Sequence, residues 1–277
     1  MALRINTNVA ALNAHRQLTA TDQRLAVSME RLSSGYRINK AKDDVAGLSI
    51  ANKFRTEVRG LRMAQQNVSQ GLSLLQVAEG GANQIEGIIE RLKELATTAA
   101  SDNTDNSGRA RINAEATQLL SEIDRIATDT KYGVTSLISG TINLTFQIGS
   151  GNTATEDQIN VTTSSGLLSS NLGLSSISMN SLASAQAALT SIDASLTSVN
   201  IVQGDIGAAQ SRLEIASANL AISVENLSAS ESAIRDVDMA FEMISFTKNQ
   251  ILLQAGTAML AQANMAPQNI LALLGAR

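Results

Sequence analysis

The sequence predicts a mainly α fold: a long antiparallel coiled-coil helical bundle in two stacked layers, with a small β-hairpin and loops in the middle of the chain. Three observations carry that expectation. Apolar residues recur every seven positions over long stretches, the period of packed helices. The chain is 44% apolar but only 2% aromatic, with no Trp. Its buried area must therefore come from Leu, Ile, Val and Ala along helices rather than from aromatic clusters. Proline occurs once in 277 residues, at Pro267, so few helix breaks are obligatory.

Near the N-terminus Leu18, Leu25 and Leu32 repeat with the helical period. The stretch RLSSGYRINKAKDDVAGLSIANKF, Arg31 to Phe54, interrupts them with a Ser-Ser-Gly, a second glycine and a basic run meeting two acids. A new series then runs through Phe54, Leu61, Val68, Leu75, Ala82 and Ile89, with Val58, Leu72, Ile85, Leu92 and Leu95 in companion positions. After the polar turn SDNTDNSG a third helix shows the face Ile112, Ala116, Leu119, Ile123 and Ile126. In the middle, Ile142, Leu144, Phe146 and Ile148, then Ile159 and Val161, alternate with period two around turn residues, which predicts a β-hairpin within 140–163. Residues 164–184 lack a clear period and read as surface loop. The C-terminal half holds the cleanest repeat: Ile192, Val199, Ile206, Leu213, Leu220, Leu227 and Ile234. A helix over that span is about 65 Å long at roughly 1.5 Å per residue. The register then shifts to Val237, Ile244, Ile251, Ala258 and Met265, a stammer that overwinds or breaks a coiled coil.

The two interruptions, at 33–53 and around 235–243, fall at one level if the chain ends lie side by side. The first then becomes a joint between layers, with Gly35 and Gly47 supplying backbone freedom. Its charges, Arg37, Lys40, Lys42, Asp43 and Asp44, together with Asn39, suit contact with water or a neighbouring chain. An ordinary solvated loop gives the same mixture. The expected domains are 1–42 plus 239–277, loose as a monomer and ordered on assembly, and 43–238, which includes the joint 43–53 and the hairpin region. Leu18, Leu25, Leu32, Ile244, Ile251 and Met265 are the expected coiled-coil assembly positions.

Composition excludes several classes. A net charge of -4 with no basic block is a poor footprint for nucleic acid. There is no Cys, hence no disulfide or thiolate metal site. His15 is the only histidine, so neither a His-pair metal site nor a His-containing triad can form in one chain. No catalytic, cofactor or metal site is expected. No apolar run is long enough to span a membrane. The opening MALRINTNVAALNAHRQL lacks a continuous signal-peptide core, so export is expected by a route without a conventional cleaved signal.

INTNVAALNA at 5–14, RLSSGYRINKAKDDVAGLSIANKF at 31–54 and ILLQAGTAMLAQANMAPQNILALL at 251–274 together resemble bacterial flagellin, at both ends and in the right order. Val45 stands where Ala is usual in that family. The resemblance implies a secreted subunit that self-assembles into the helical flagellar filament, the propeller of swimming. It places both termini in an inner layer and the central helices in the next, in a short form without large outer domains. The implied partners are many copies of the same chain, a flagellar export chaperone working with the type III apparatus, and the filament cap and hook–filament junction proteins. It also implies an epitope for a vertebrate flagellin-sensing Toll-like receptor, carried here by Arg91, Leu95 and Glu115. A junction protein would share the terminal helices, but LLQAGTAMLAQAN argues against it. A zinc-peptidase insert would need a His-Glu-x-x-His that one histidine cannot supply.

Overall fold

The computed structural model describes the backbone of residues 7–275 and the side chains of residues 7–265. Expectations that touch residues 1–6 or side chains beyond Met265, Pro267 among them, lie outside these. The elements in order are α1 (Val9–Ser34), α2 (Val45–Ala99), α3 (Asn106–Asp129), β1 (Lys131–Tyr132), β2 (Thr135–Ser136), β3 (Asn143–Gln147), β4 (Gln158–Thr162), α4 (Leu182–Arg235) and α5 (Met239–Gly275). They form two compact units, one of residues 1–56 with 226–277 and one of residues 57–225, so the borders fall within α2 and α4.

In the unit of residues 57–225 the heptad columns are the core. Leu61, Val68, Leu75, Ala82 and Ile89 of α2 are buried, as are Ile192, Val199, Ile206, Leu213 and Leu220 of α4. Polar bonds accompany them in antiparallel register. Gln210 donates to Glu79 at 2.9 Å, Gln203 donates to Glu86 at 2.7 Å, and Lys93 pairs with Asp193 at 2.7 Å. α3 buries Ala116 and Ile123 of its expected face. Arg109 of α3 is itself buried, and its guanidinium donates to the carbonyls of Ala99 and Ser101 at 2.9 Å each. It thereby satisfies the Ala99 carbonyl left open where α2 ends and adds a second bond to the Ser101 carbonyl in the turn that follows.

The expected hairpin is β3 paired antiparallel with β4, with Phe146 opposite Ile159 and Leu144 opposite Val161. A second hairpin, β1 with β2, was not expected; strands of two residues are too short to show a period. Residues 164–184 depart from the surface-loop expectation. The backbone is irregular, but Leu167, Leu174 and Met179 are fully buried. Helix side chains hold it by its backbone. Asp205 accepts from the Ser164 N–H at 2.9 Å, Asp124 from Ser169 at 2.8 Å and Asn113 from Met179 at 2.8 Å. The bonds to Ser169 and Met179 satisfy polar groups that would otherwise oppose burial.

In the other unit α1 and α5 lie against each other. The α1 residues turned inward are Ala11, Ala14, Leu18, Thr21, Leu25, Ser28 and Leu32, a heptad pattern that includes the expected leucines. The α5 residues turned inward are Glu242, Phe246, Asn249, Leu253, Gly256, Leu260 and Ala263. Ile244, Ile251 and Met265, the expected stripe, are instead 67%, 60% and 49% exposed. The helix therefore carries a second seam. A Cβ at Gly256 would lie 2.8 Å from Leu18 Cδ1, so this glycine admits the leucine as a knob. Asn8 caps α1 by accepting from Ala11 at 3.0 Å and donates to the Ala263 carbonyl at 2.8 Å.

Candidate functional site

The segment between α1 and α2 is built by side chains that replace missing helical bonds. Gly35 ends α1 at φ 74°, in the left-handed region, and its N–H donates to the Arg31 carbonyl at 2.8 Å. Most other residues avoid that conformation, so the glycine is required. Ser34 Oγ accepts from Tyr36 N–H at 3.1 Å and from Asn39 Nδ2 at 2.7 Å. The Asp43 carboxylate accepts from the Asn39 and Lys40 amides at 3.2 and 2.9 Å. The Lys40 bond, first, and the Asn39 bond hold this carboxyl below the ordinary aspartate value of 3.8. Lys40 Nζ meets Glu30 at 2.6 Å, and that partner raises the Lys40 pKa. Asp44 accepts from the Gly47 N–H at 2.8 Å and caps the first turn of α2.

This organisation corrects two expectations. The interruption is confined to residues 35–44, because the Asp44 cap starts the helix at Val45. Gly47 is helical and does not have a positive φ. Its glycine is required by close approach: a Cβ there would lie on the Asp44 carboxylate and 2.8 Å from Ile38 Cδ1.

The second interruption, between α4 and α5, is residues 236–238, and it is tied to the first. Tyr36 and Asp236 form an antiparallel bridge. Arg37 N–H donates to the Arg235 carbonyl at 2.7 Å, and Val237 N–H to the Gly35 carbonyl at 3.0 Å. The Arg37 guanidinium donates to the Ile234 carbonyl, and the Arg235 guanidinium lies 4.2 Å from the Tyr36 ring centre. Just beyond, the buried Glu242 carboxylate pairs with Arg31 at 3.6 Å. Of the five charged residues expected at the joint, Arg37, Lys40, Asp43 and Asp44 are thus engaged within the chain. Lys42 forms no ion pair among the described residues and is exposed. The sequence reading missed Glu242 and Gly256. Listing positions 242, 249, 256 and 263 as one heptad column gives Glu, Asn, Gly and Ala, which apolarity alone ranks below the Ile column beside it.

On the face of α2 and α3, Arg91 and Glu115 are brought together. Arg91 donates to Glu115 at 3.0 Å and to Glu94 at 2.7 Å. Glu94, then Glu115, raises the pKa of the guanidinium. Leu95, one turn on from Arg91, is buried, so of this trio only Arg91 and Glu115 face outward.

The exposed side of α5 forms a shallow apolar depression lined by Met243, Ile244, Thr247, Lys248, Ile251 and Leu252. Among the described residues no group of three or more His, Asp or Glu side chains is placed to hold a metal ion, and no helix is long and apolar enough to cross a membrane.

Long paired helices, with a second apolar seam left exposed on α5, define a helical structural protein. Residues 5–143 match the family model for the bacterial flagellin N-terminal helical region, and residues 189–274 that for the C-terminal helical region. The flagellin of Halalkalibacterium halodurans is 41% identical over 98% of this chain and 99% of its own. The flagellar filament 33 kDa core protein of Treponema phagedenis is 39% identical over 98% and 99%. Among solved structures, Bacillus cereus flagellin is similar over 56% of this chain and 88% of its own, at 23% identity and a TM-score of 0.47. The chain belongs to the bacterial flagellin family, and its role is that of a structural filament subunit serving motility.

Proposed function

We propose that copies of this chain polymerise through the terminal helices, with the exposed side of α5 as a principal contact. The observation that carries this is the double seam of α5. One face, Phe246, Leu253 and Leu260, is turned toward α1 of the same chain. The other presents Ile244, Ile251 and Met265 to solvent, where isolated apolar surface of this extent calls for a partner. In the polymer residues 1–42 with 239–277 form the inner layer and residues 43–238 the second, the division falling at the tied chain reversals. The joint residues Gly35, Arg37, Asn39, Asp43, Asp44 and Gly47 lie at that division and carry the compliance by which subunits exchange packings.

The filament stands outside the cell, and the chain reaches it by flagellar type III export. A dedicated export chaperone covers the α5 stripe before assembly, and the cap and hook–filament junction proteins bound the polymer at its two ends. The role involves no catalysis. Arg91 and Glu115 form the accessible part of the receptor epitope that the family resemblance implies, whereas Leu95 is buried.

The test is seeded polymerisation followed by electron microscopy. Ile244→Glu with Ile251→Glu leaves the far-ultraviolet circular dichroism of the monomer unchanged, because both side chains are exposed in it, and abolishes filaments. Filaments of ordinary yield from the double variant would refute the contact. Removing residues 1–32 or 245–277 likewise leaves the unit of residues 57–225 folded and abolishes assembly.

A further inference from the structure

Half of the methionines lie on one helix. The chain has 8 Met, and Met239, Met243, Met259 and Met265 all fall on α5. Met243 and Met259 are 49% and 65% exposed, and Met29, Met63 and Met239 are comparably so at 54%, 58% and 48%, whereas Met179, in the other unit, is 0% exposed. Met243 lines the apolar depression with Ile244, Ile251 and Leu252. Met259 follows Leu252 by one heptad, and Met265 continues the column of Ile244 and Ile251. The thioethers therefore sit where an apolar partner must dock and where solvent has access before it does. No cysteine is present to compete for an oxidant.

We infer that Met243, Met259 and Met265 form a peroxide-sensitive modification site whose oxidation to the sulfoxide blocks polymer growth. The chemistry is a two-electron oxygen-atom transfer. A sulfur lone pair attacks one oxygen of hydrogen peroxide, an S–O bond forms and the O–O bond breaks. The departing hydroxide takes the remaining proton and leaves as water. Sulfur is oxidised, peroxide is reduced, and no other co-reactant is needed. The product replaces a flexible apolar side chain with a polar one bearing a strong acceptor. In the monomer that acceptor is hydrated and costs little. Buried against an apolar face without a donor, it opposes docking. Oxidation is thus tolerated by the folded chain and selective against assembly. A methionine sulfoxide reductase restores the thioether, so the block is reversible while the face remains open. Once a partner covers the face, the sulfurs are shielded.

This inference rests on the α5 contact proposed above, and the experiment separates the two. Full-length chain is treated with hydrogen peroxide, the sulfoxides are located by peptide mass spectrometry, and seeded polymerisation is followed by light scattering and electron microscopy. Met243, Met259 and Met265 are oxidised together with the other exposed methionines, Met29, Met63 and Met239, and Met179 is spared. The critical concentration of the treated protein rises about tenfold or more, the scale set by losing the burial of one such side chain per contact. A variant with Met243→Leu, Met259→Leu and Met265→Leu, which keeps apolar volume, polymerises equally well before and after treatment. Preformed filaments keep these residues reduced under a dose that oxidises the monomer. Treated wild-type protein that polymerises normally would overturn the inference. So would equal sensitivity of the leucine variant, or oxidation in filaments at the monomer rate. Normal polymerisation of the Ile244→Glu, Ile251→Glu chain is the separate result that removes the underlying contact.

Discussion

Gly47→Ala is the sharpest probe of the segment that joins α1 to α2. A mid-helix glycine replaced by alanine ordinarily gains about 1 kcal/mol from helix propensity. Here the added Cβ lands on the Asp44 carboxylate and 2.8 Å from Cδ1 of Ile38, which is only 1% exposed. The carboxylate must rotate away, and its cap on the Gly47 N–H, worth about 0.5–2 kcal/mol, is weakened. The buried Ile38 must also shift, an overpacking cost of about 1–3 kcal/mol. The sum is a net destabilisation of about 0.5–4 kcal/mol, larger for Gly47→Val because of its second branch. The cost falls on the unit of residues 1–56 and 226–277, so it appears as an earlier transition in urea unfolding followed by circular dichroism, with the later transition unmoved. The native monomer keeps its helix content, and filament shape or yield changes under the electron microscope. If Gly47→Ala were instead stabilising by about 0.4–1 kcal/mol, as for an uncrowded glycine, the close approach of Asp44 and Ile38 would be refuted.

Arg109→Ala removes a buried guanidinium that serves two carbonyls at the end of α2. A loss of about 2–3 kcal/mol is expected in the unfolding of the unit of residues 57–225, and a change below about 0.5 kcal/mol would contradict the capping role. Gly35→Ala forces a side chain into the left-handed region at φ 74° and costs about 1–2 kcal/mol in the terminal unit, again read by urea titration. The Asp43 carboxyl titrates below 3.8 when folded, so its contribution is fully present above that value and is lost as pH falls through the folded pKa. Hydrogen exchange at the Asn39 and Lys40 amides should therefore lose protection only in strongly acidic solution, and Asp43→Asn should remove that pH dependence. Loss of protection between pH 5 and 7 would contradict it.

The long helices were legible because the heptad period survives over many turns and because each column does one job. Ile192 to Leu220 is apolar in sequence and buried in the fold. The hairpin was legible for the same reason at period two. Three features were not. α5 has two competing columns, and apolarity picked Ile244, Ile251 and Met265, whereas α1 pairs with the column containing Glu242, Asn249 and Gly256. That choice depends on what α1 offers, including the buried Thr21 and Ser28 and the cation of Arg31. Within residues 164–184, Leu167, Leu174 and Met179 are buried, and the backbone around them is held by Asp124, Asp205 and Asn113, partners 41 to 66 positions away that no local pattern encodes. At the joint, Gly35 follows from its place after a helix end. The reason for Gly47 is Ile38 and Asp44 folding back on it, a contact invisible as composition. The tie of Gly35, Tyr36 and Arg37 to Arg235, Asp236 and Val237 was foreseen as two breaks at one level, though not as a backbone bridge.

The most direct test of the central claim is a helical reconstruction of the assembled filament at side-chain resolution. Leu18 is expected still to fill the space at Gly256, and Glu242 still to meet Arg31, within each subunit. Ile244, Ile251 and Met265, all exposed in the single chain, are then covered by a neighbouring copy. A filament in which those three side chains remain solvent-facing, with the subunits held together entirely through residues 57–225, would contradict it.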